Sequence, residues 1–317
     1  MNILANDGIA KAGIEILEKA GHTVFNTNVA QEQLANFIKT ENISVLLVRS
    51  ATKVPKELLK EVPSIKIVGR GGVGLDNIDV AYANANGVTV INTPDASSAS
   101  VAELTFAHLY DGVRFLYDSN RNMPLEGDSN FKGLKKAYAS GTELRGKTIG
   151  IIGFGKIGQE TAKIALGVGM NVLFVDTDVK ESIVSLAFYD GQTIDFNLKG
   201  STMDHLLKQS DFISLHVPKQ NGYVIGKSEL EKVKHGVGIV NTARGGAIDE
   251  VALIDALEEG RVSFAGLDVY ESEPKPEIRI LMHPNISLTP HIGAATFEAQ
   301  ERIGISLAEQ IISLSIK

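Results

Sequence analysis

The sequence predicts an α/β fold of two doubly wound parallel-sheet domains. Short apolar runs alternate with stretches of helical spacing along most of the chain, the pattern of parallel strands covered by helices on both faces. At 317 residues the chain is long enough for two domains that each bury a core. One strand, Thr148 to Gly153, also runs into Gly153-Phe-Gly155-Lys-Ile-Gly158, the glycine spacing that opens the helix of a dinucleotide-binding βαβ unit.

From the N-terminus, strands are expected at 2–5, 22–25, 44–49, 65–69 and 88–92. Helical spacing covers 10–20 and 31–39, and 55–61 reads as a short helix with Pro55 near its first turn. Asn92-Thr-Pro94 ends the last of these strands, and a domain boundary is placed near Ser98. Ser98 or Ser100 is positioned to cap a helix that begins near Val101. Ser100 and Glu103 have the capping-box spacing. That helix is expected to reach about Arg121 and to give way to an aperiodic polar loop, Met123 to Gly141. After the dinucleotide unit, Val179 to Lys199 has no clear period beyond a turn signal at Asp190-Gly191. Further strands are expected at 211–218, 236–241, 263–269 and 285–291, with helices at 249–259 and 296–313. The substrate-side domain is thus read as 1–98 plus 288–317, and the nucleotide domain as 99–287.

Each part of the glycine stretch has a physical reason. Gly153 permits the tight turn, Gly155 lets a pyrophosphate approach the backbone, and Gly158 allows helix and strand to pack closely. The helix start offers unpaired N–H groups and partial positive charge. Asp176 closes the next strand, Asn171-Val-Leu-Phe-Val, where its carboxylate can bind ribose hydroxyls and repel a 2′-phosphate. NAD is therefore expected in preference to NADP.

Composition narrows the function further. A hydrophobic content of 44% and a charged content of 22% place the chain among ordinary globular proteins. The absence of cysteine excludes disulfides, thiolate metal sites and a cysteine nucleophile, and no metal site is expected. The start, Met-Asn-Ile-Leu-Ala-Asn-Asp, lacks the features of a signal peptide, and no apolar run approaches a membrane span. The net charge of −7 argues against nucleic acid, so an anionic substrate must be held by local cations. A cytoplasmic protein without membrane partners is expected.

In doubly wound sheets, ligands sit beyond the carboxyl ends of the strands. Arg49-Ser50 follows the third strand and Arg70-Gly71-Gly72-Val73-Gly74 the fourth. Arg49 is placed either to grip a carboxylate or phosphate or to pair with a neighbouring acid. The glycine run can form an anion-binding concavity or a plain tight turn. Three titratable groups, Arg244, Glu273 and His291, follow strands of the second domain. A carbonyl/alcohol hydride transfer needs a cation on the substrate, a group titrating near neutrality for the hydroxyl proton, and a carboxylate behind that group. The histidines at 22, 108, 205, 216, 235 and 283 lack such company and read as structural.

The stretches Gly-Phe-Gly-Lys-Ile-Gly158, Asn-Thr-Ala-Arg244-Gly-Gly, Gly-Leu-Asp268-Val-Tyr-Glu-Ser-Glu273-Pro and Thr-Pro-His291-Ile-Gly-Ala resemble the D-isomer-specific 2-hydroxyacid dehydrogenase family over essentially the whole chain. Val48 to Val54 and Val68 to Asn77 are most similar to members that oxidise D-3-phosphoglycerate to 3-phosphohydroxypyruvate at the entry to serine biosynthesis. The resemblance implies a flavodoxin-like substrate domain, a Rossmann NAD domain and an active site in a cleft between them. It implies that Arg244 holds the substrate carboxylate and polarises the C2 oxygen, and that His291 is the acid/base with Glu273 as its partner. On the cofactor side it implies the three glycines, Lys156, Ile157 and Asp176, then Val217 and Pro218 at a strand end, and Thr242, Ala243, Arg244, Asp268, His291, Gly293 and Ala294. The substrate's carboxylate and phosphate ends fall to Arg49, Ser50, Val73 and Gly74, together with Arg244 and His291. Relatives are commonly homodimers that pair through the nucleotide domain.

Two departures accompany the likeness. Relatives usually carry a tryptophan before the dinucleotide unit, where this chain has Phe131-Lys-Gly-Leu134. The chain stops at Lys317 without room for the regulatory domain of some relatives, so serine feedback through one is not expected. The same motifs leave two alternatives. One is an enzyme of the family acting on glyoxylate, hydroxypyruvate or D-lactate; the other is an NAD-sensing binding protein of the corepressor type.

Overall fold

The structure is a computed structural model that describes residues 1–315. The chain forms two compact units, Met1–Ser100 together with the chain from Ala294, and Val101–Gly293.

In the first unit five parallel strands, β1 (Asn2–Ala5), β2 (Thr23–Phe25), β3 (Ile43–Val48), β4 (Ile67–Arg70) and β5 (Thr89–Asn92), lie in the order β2-β1-β3-β4-β5. Alternate strand residues feed two cores. Ile3, Val45, Leu47 and Ile67 pack with Ile303, Leu307 and Ile311 of the last helix, Phe297–Ser315. Leu4, Leu46, Val48 and Val68 pack on the other face with Leu34, Ile38, Leu58 and Leu59. Burial on both faces is why these strands read as continuous apolar runs.

The second unit holds eight strands: β6 (Thr148–Ile152), β7 (Asn171–Val175), β8 (Glu181–Ala187), β9 (Thr193–Lys199), β10 (Phe212–Leu215), β11 (Val237–Asn241), β12 (Val262–Leu267) and β13 (Ile286–Leu288). Six of them form a parallel sheet in the order β13-β12-β11-β10-β6-β7. β8 and β9 form an antiparallel hairpin around Asp190-Gly191 in the segment that the sequence left unassigned. Its inner residues Val184, Leu186 and Leu198 join Phe174 and Ala162 in the core.

Four expectations are corrected. Leu288 pairs with Leu267 inside the second sheet, so residues 288–293 belong to the second unit and not to the substrate-side domain. The expected helix from Val101 to Arg121 is two helices, Ser98–Arg114 and Leu116–Glu126, separated at Phe115 by a left-handed backbone with φ +54. Helix formation already starts at Ser98, whose hydroxyl donates to the Pro94 carbonyl, so Ser100 sits inside the first turn and not ahead of it. The expected loop between 123 and 141 contains the end of the second of these helices and a further one, Phe131–Ala137, seated by the buried Leu134. No helix among the described residues is long and apolar enough to cross a membrane.

Candidate active site

The glycine turn after β6 is shaped by its neighbours. Gly153 has φ +90, and a Cβ there would lie 2.5 Å from the His216 carbonyl oxygen. A Cβ on Gly158 would collide with the carbonyl of Gly153. Around Gly155, by contrast, no described atom lies within 4 Å of where a Cβ would sit. The turn is therefore closed behind and open at the start of the helix Lys156–Gly167, where orphan N–H groups suit a diphosphate.

Asp176 fastens this turn to the end of β7. Its Oδ2 accepts from the Phe154 N–H at 2.6 Å, and Oδ1 accepts from the Asp178 and Val179 N–H groups at 2.8 and 3.0 Å. Burial pushes this carboxyl up. The three N–H bonds and the Lys180 charge outweigh burial and hold the group below its ordinary range. The result is a fixed anion beside the turn, which fits a dinucleotide with free ribose hydroxyls.

His216 behaves as the sequence reading has it. Its Nε2 is shared by Ser214 Oγ at 2.7 Å and Thr161 Oγ1 at 3.1 Å, and burial lowers its pKa to about 3. It is neutral packing behind the glycine turn and carries no charge at working pH.

The loop after β11 is tied by Asn241. Its Oδ1 accepts from the Ala243 N–H at 3.0 Å and its amide donates to the Arg244 carbonyl at 3.0 Å. The Arg244 side chain leaves this tight turn with Nη1 donating to the Ala243 carbonyl at 2.6 Å. Glu273 follows β12, and its Oε1 accepts from the Tyr270 N–H at 3.1 Å. Its Oε2 lies 2.9 Å from His291 Nδ1. An ionised carboxylate only accepts, so Nδ1 carries the hydrogen and Nε2 the lone pair. His291 itself has a left-handed backbone, φ +56, which few residues other than glycine adopt. Asp268 accepts from the Ile292 and Gly293 N–H groups at 2.8 and 2.9 Å and so holds the residues that follow. The structure thus brings Glu273, Asp268 and His291 together. Thr242, Ala243 and Arg244 follow the adjoining strand β11, Val217 and Pro218 lie beyond β10, and Lys156 and Ile157 open the helix.

The substrate candidates of the first unit sit on two braced turns. The Arg49 N–H donates to Asp7 Oδ2 at 2.6 Å, and the Asn77 amide bridges the carbonyls of Arg49 and Thr52 at 2.8 and 2.6 Å. Ser50 lies between these ties. The Gly72 N–H is bonded to Thr93 Oγ1, and the Val73 carbonyl to the Asn92 amide. Ala294, at the start of the unit's returning segment, accepts from the Gln300 amide at 2.6 Å. Sequence reasoning missed Asp7 and Asn77, which lack a local signal because their partners are 25 or more positions away. It also missed Arg70, whose guanidinium lies 2.5 Å from where a Cβ on Gly72 would sit.

Comparison with known proteins agrees with this layout. Residues 106–293 match the family model described as the NAD binding domain of D-isomer specific 2-hydroxyacid dehydrogenases. The hydroxypyruvate reductase of Thermotoga maritima is 42% identical over 312 residues, 96% of this chain and 95% of that protein. The D-3-phosphoglycerate dehydrogenase of Methanocaldococcus jannaschii is 39% identical over 98% of this chain, which spans only 57% of that protein. Among solved structures, the NAD+-bound 3-phosphoglycerate dehydrogenase of Entamoeba histolytica superposes with a TM-score of 0.78 at 29% identity, covering 100% of this chain and 96% of that one.

One test isolates the cofactor end. Because Asp176 is held ionised, NADH affinity should stay flat from neutral pH down to about pH 5, above the ordinary carboxylate range. Asp176→Ala should weaken NADH binding, measured by fluorescence titration, far more than NADPH binding. Equal loss for the two cofactors would remove the assignment.

Proposed function

The chain belongs to the D-isomer-specific 2-hydroxyacid dehydrogenases, with NAD as cofactor, and on that footing we propose that it oxidises D-3-phosphoglycerate to 3-phosphohydroxypyruvate. The observation that carries the substrate choice is a pair of arginines at the glycine turn after β4. A Cβ on Gly71 would lie 3.5 Å from Arg49 Cγ, and one on Gly72 would lie 2.5 Å from Arg70 Nη1. A simple 2-hydroxy acid carries one carboxylate, whereas a phosphorylated one adds close to two further charges at neutral pH. In a protein of net charge −7, two arginines whose side chains border one turn suit the larger anion. This substrate places the enzyme at the entry to serine biosynthesis.

In this reading Arg244 holds the substrate carboxylate and polarises the C2 oxygen. Nε2 of His291 takes the hydroxyl proton, and the carboxylate of Glu273 at 2.9 Å stabilises the imidazolium that forms. NAD, when bound, supplies the acceptor for the hydride. Lys156, Ile157 and the glycines hold its diphosphate, and Asp176 its ribose. Ser50, Val73 and Gly74 complete the substrate side. A homodimer is inferred from Leu116, Tyr117, Met123, Leu125 and Phe131, large apolar side chains left exposed on the helices that follow Arg114. A monomeric mass in sedimentation would remove that inference.

A second reading has its own support. The hydroxypyruvate reductase relative is matched over almost its whole length, whereas the phosphoglycerate dehydrogenase of Methanocaldococcus jannaschii extends well beyond the match. Steady-state oxidation of 3-phosphoglycerate beside reduction of hydroxypyruvate decides between them. Arg49→Ala should raise KM for 3-phosphoglycerate about tenfold or more and change that for hydroxypyruvate little, as expected for a lost charge-assisted bond. Equal effects on the two would overturn the phosphate assignment. His291→Ala should lower kcat by roughly two to four orders of magnitude, and Glu273→Gln should lower it by less. A His291→Ala enzyme with near-normal kcat would end the acid/base role.

A further inference from the structure

Two buried polar side chains on the helix Ser98–Arg114 take no part in the chemistry above. Thr105 and His108, one turn apart, are both shielded from solvent. A helix face against a sheet normally carries apolar groups, and polar atoms there need partners to offset their desolvation. Each of the two reaches a residue two positions before a proposed catalytic one. Thr105 Oγ1 is 2.9 Å from Thr242 Oγ1, ahead of Arg244. His108 Nε2 is 3.0 Å from Thr289 Oγ1, ahead of His291.

The second connection continues to the catalytic loop. The Thr289 hydroxyl donates to Asp268 Oδ1 at 2.6 Å, and the same carboxylate receives the Ile292 and Gly293 N–H groups. A carboxylate only accepts, so the Thr289 hydrogen is committed to it. The Thr289 oxygen must then accept from His108, which puts the ring hydrogen on Nε2. Nδ1 is left to accept from the Ser287 hydroxyl at 2.9 Å. Burial pushes the His108 pKa down, only partly opposed by Asp268 and Asp111, which keeps the ring neutral in this tautomer. Gly266 makes room for the ring: a Cβ there would lie 2.5 Å from His108 Cβ.

We propose that His108 is a positioning residue whose Nε2–H, acting through Thr289 and Asp268, sets the register of the loop that presents His291. Glu273 orients the His291 ring, whereas this relay holds the backbone on both sides of it. The proposal rests on the acid/base reading of His291 given above.

The test uses the whole enzyme and pairs of variants. Thr289→Val keeps the side-chain shape and removes the hydroxyl, and Thr289→Ser keeps the hydroxyl. His108→Leu removes the donor, and His108→Gln retains an N–H near the Nε2 position. Thr289→Val and His108→Leu should lower kcat about 10- to 100-fold, the scale of a misplaced catalytic group, with KM and NADH affinity within about threefold. Thr289→Ser and His108→Gln should recover most of the loss. Variants that lose thermal stability but keep kcat would overturn the proposal. Long-range 1H–15N spectra of the histidine rings provide a readout without turnover. The wild type should show His108 neutral with hydrogen on Nε2, and the His291 resonances should move in Thr289→Val. A His108 ring with hydrogen on Nδ1, or His291 signals unmoved, would overturn it too. A wild-type protein that oxidises no 2-hydroxy acid would count against the functional reading, and the spectra would still decide the relay.

Discussion

Parallel strand direction is the constraint on which the rest of the second unit depends. All six strands of its main sheet point the same way, so every loop after a strand leaves from the same edge. The strand order then arranges chemistry that is scattered in sequence. Reading from β13 to β7, the loops carry His291, then Asp268 and Glu273, then Arg244, then Val217, then the glycine turn, then Asp176. The order in which strands are added reverses between β6 and β10, since the chain goes out to β7 and returns beyond β6. The proton-transfer candidates Glu273 and His291 and the glycine turn fall on opposite sides of that switch. Glu273 meets His291 because β12 and β13 are neighbours, although 18 positions separate the two residues.

Strand direction delivers the loops, but side-chain carboxylates and amides hold them still. Asp176 ties β7 to the glycine turn, Asp268 ties β12 to the loop after β13, and Asp7 ties β1 to the Arg49 turn. Asn241 and Asn77 do the same work with an amide. A buried N–H or carbonyl left unpaired costs about 1–3 kcal/mol, so a loop held by two or three such bonds has few alternative shapes. Candidate functional side chains then project from backbone that is already ordered.

Legibility in the sequence follows the range of the interaction. The glycine turn, Asp176 and the strand-end residues were readable because each signal lies within one βαβ unit. The hairpin of β8 and β9 was not read, although Ile194, Phe196 and Leu198 alternate with polar residues, because the first strand, Ser182-Ile-Val-Ser-Leu-Ala, alternates less clearly. The break at Phe115 has no glycine or proline to announce it. His108 read as structural because its partners Ser287 and Thr289 lie about 180 positions away, and no local pattern reports such a contact. What a single sequence conceals is mainly the fastening of loops by distant polar groups.

The two carboxylates beside His291 show why those fastenings differ. Asp268 is 1% exposed, and three donors satisfy both its oxygens. A buried charge is tolerable only when satisfied in this way, and the same bonds deny it any freedom to follow the reaction. Glu273 has a side chain 37% exposed, next to a His291 side chain 40% exposed. A group that takes a proton in every turnover must afterwards release it to water. A pair sealed like Asp268 would have no route for that release, and the imidazolium once formed would persist. In the proposed reaction the half-open pair sheds its proton to solvent, provided the backbone that carries His291 does not drift while its ring remains accessible. Accessibility for the ring therefore depends on rigidity beneath it, and the buried carboxylate supplies that rigidity.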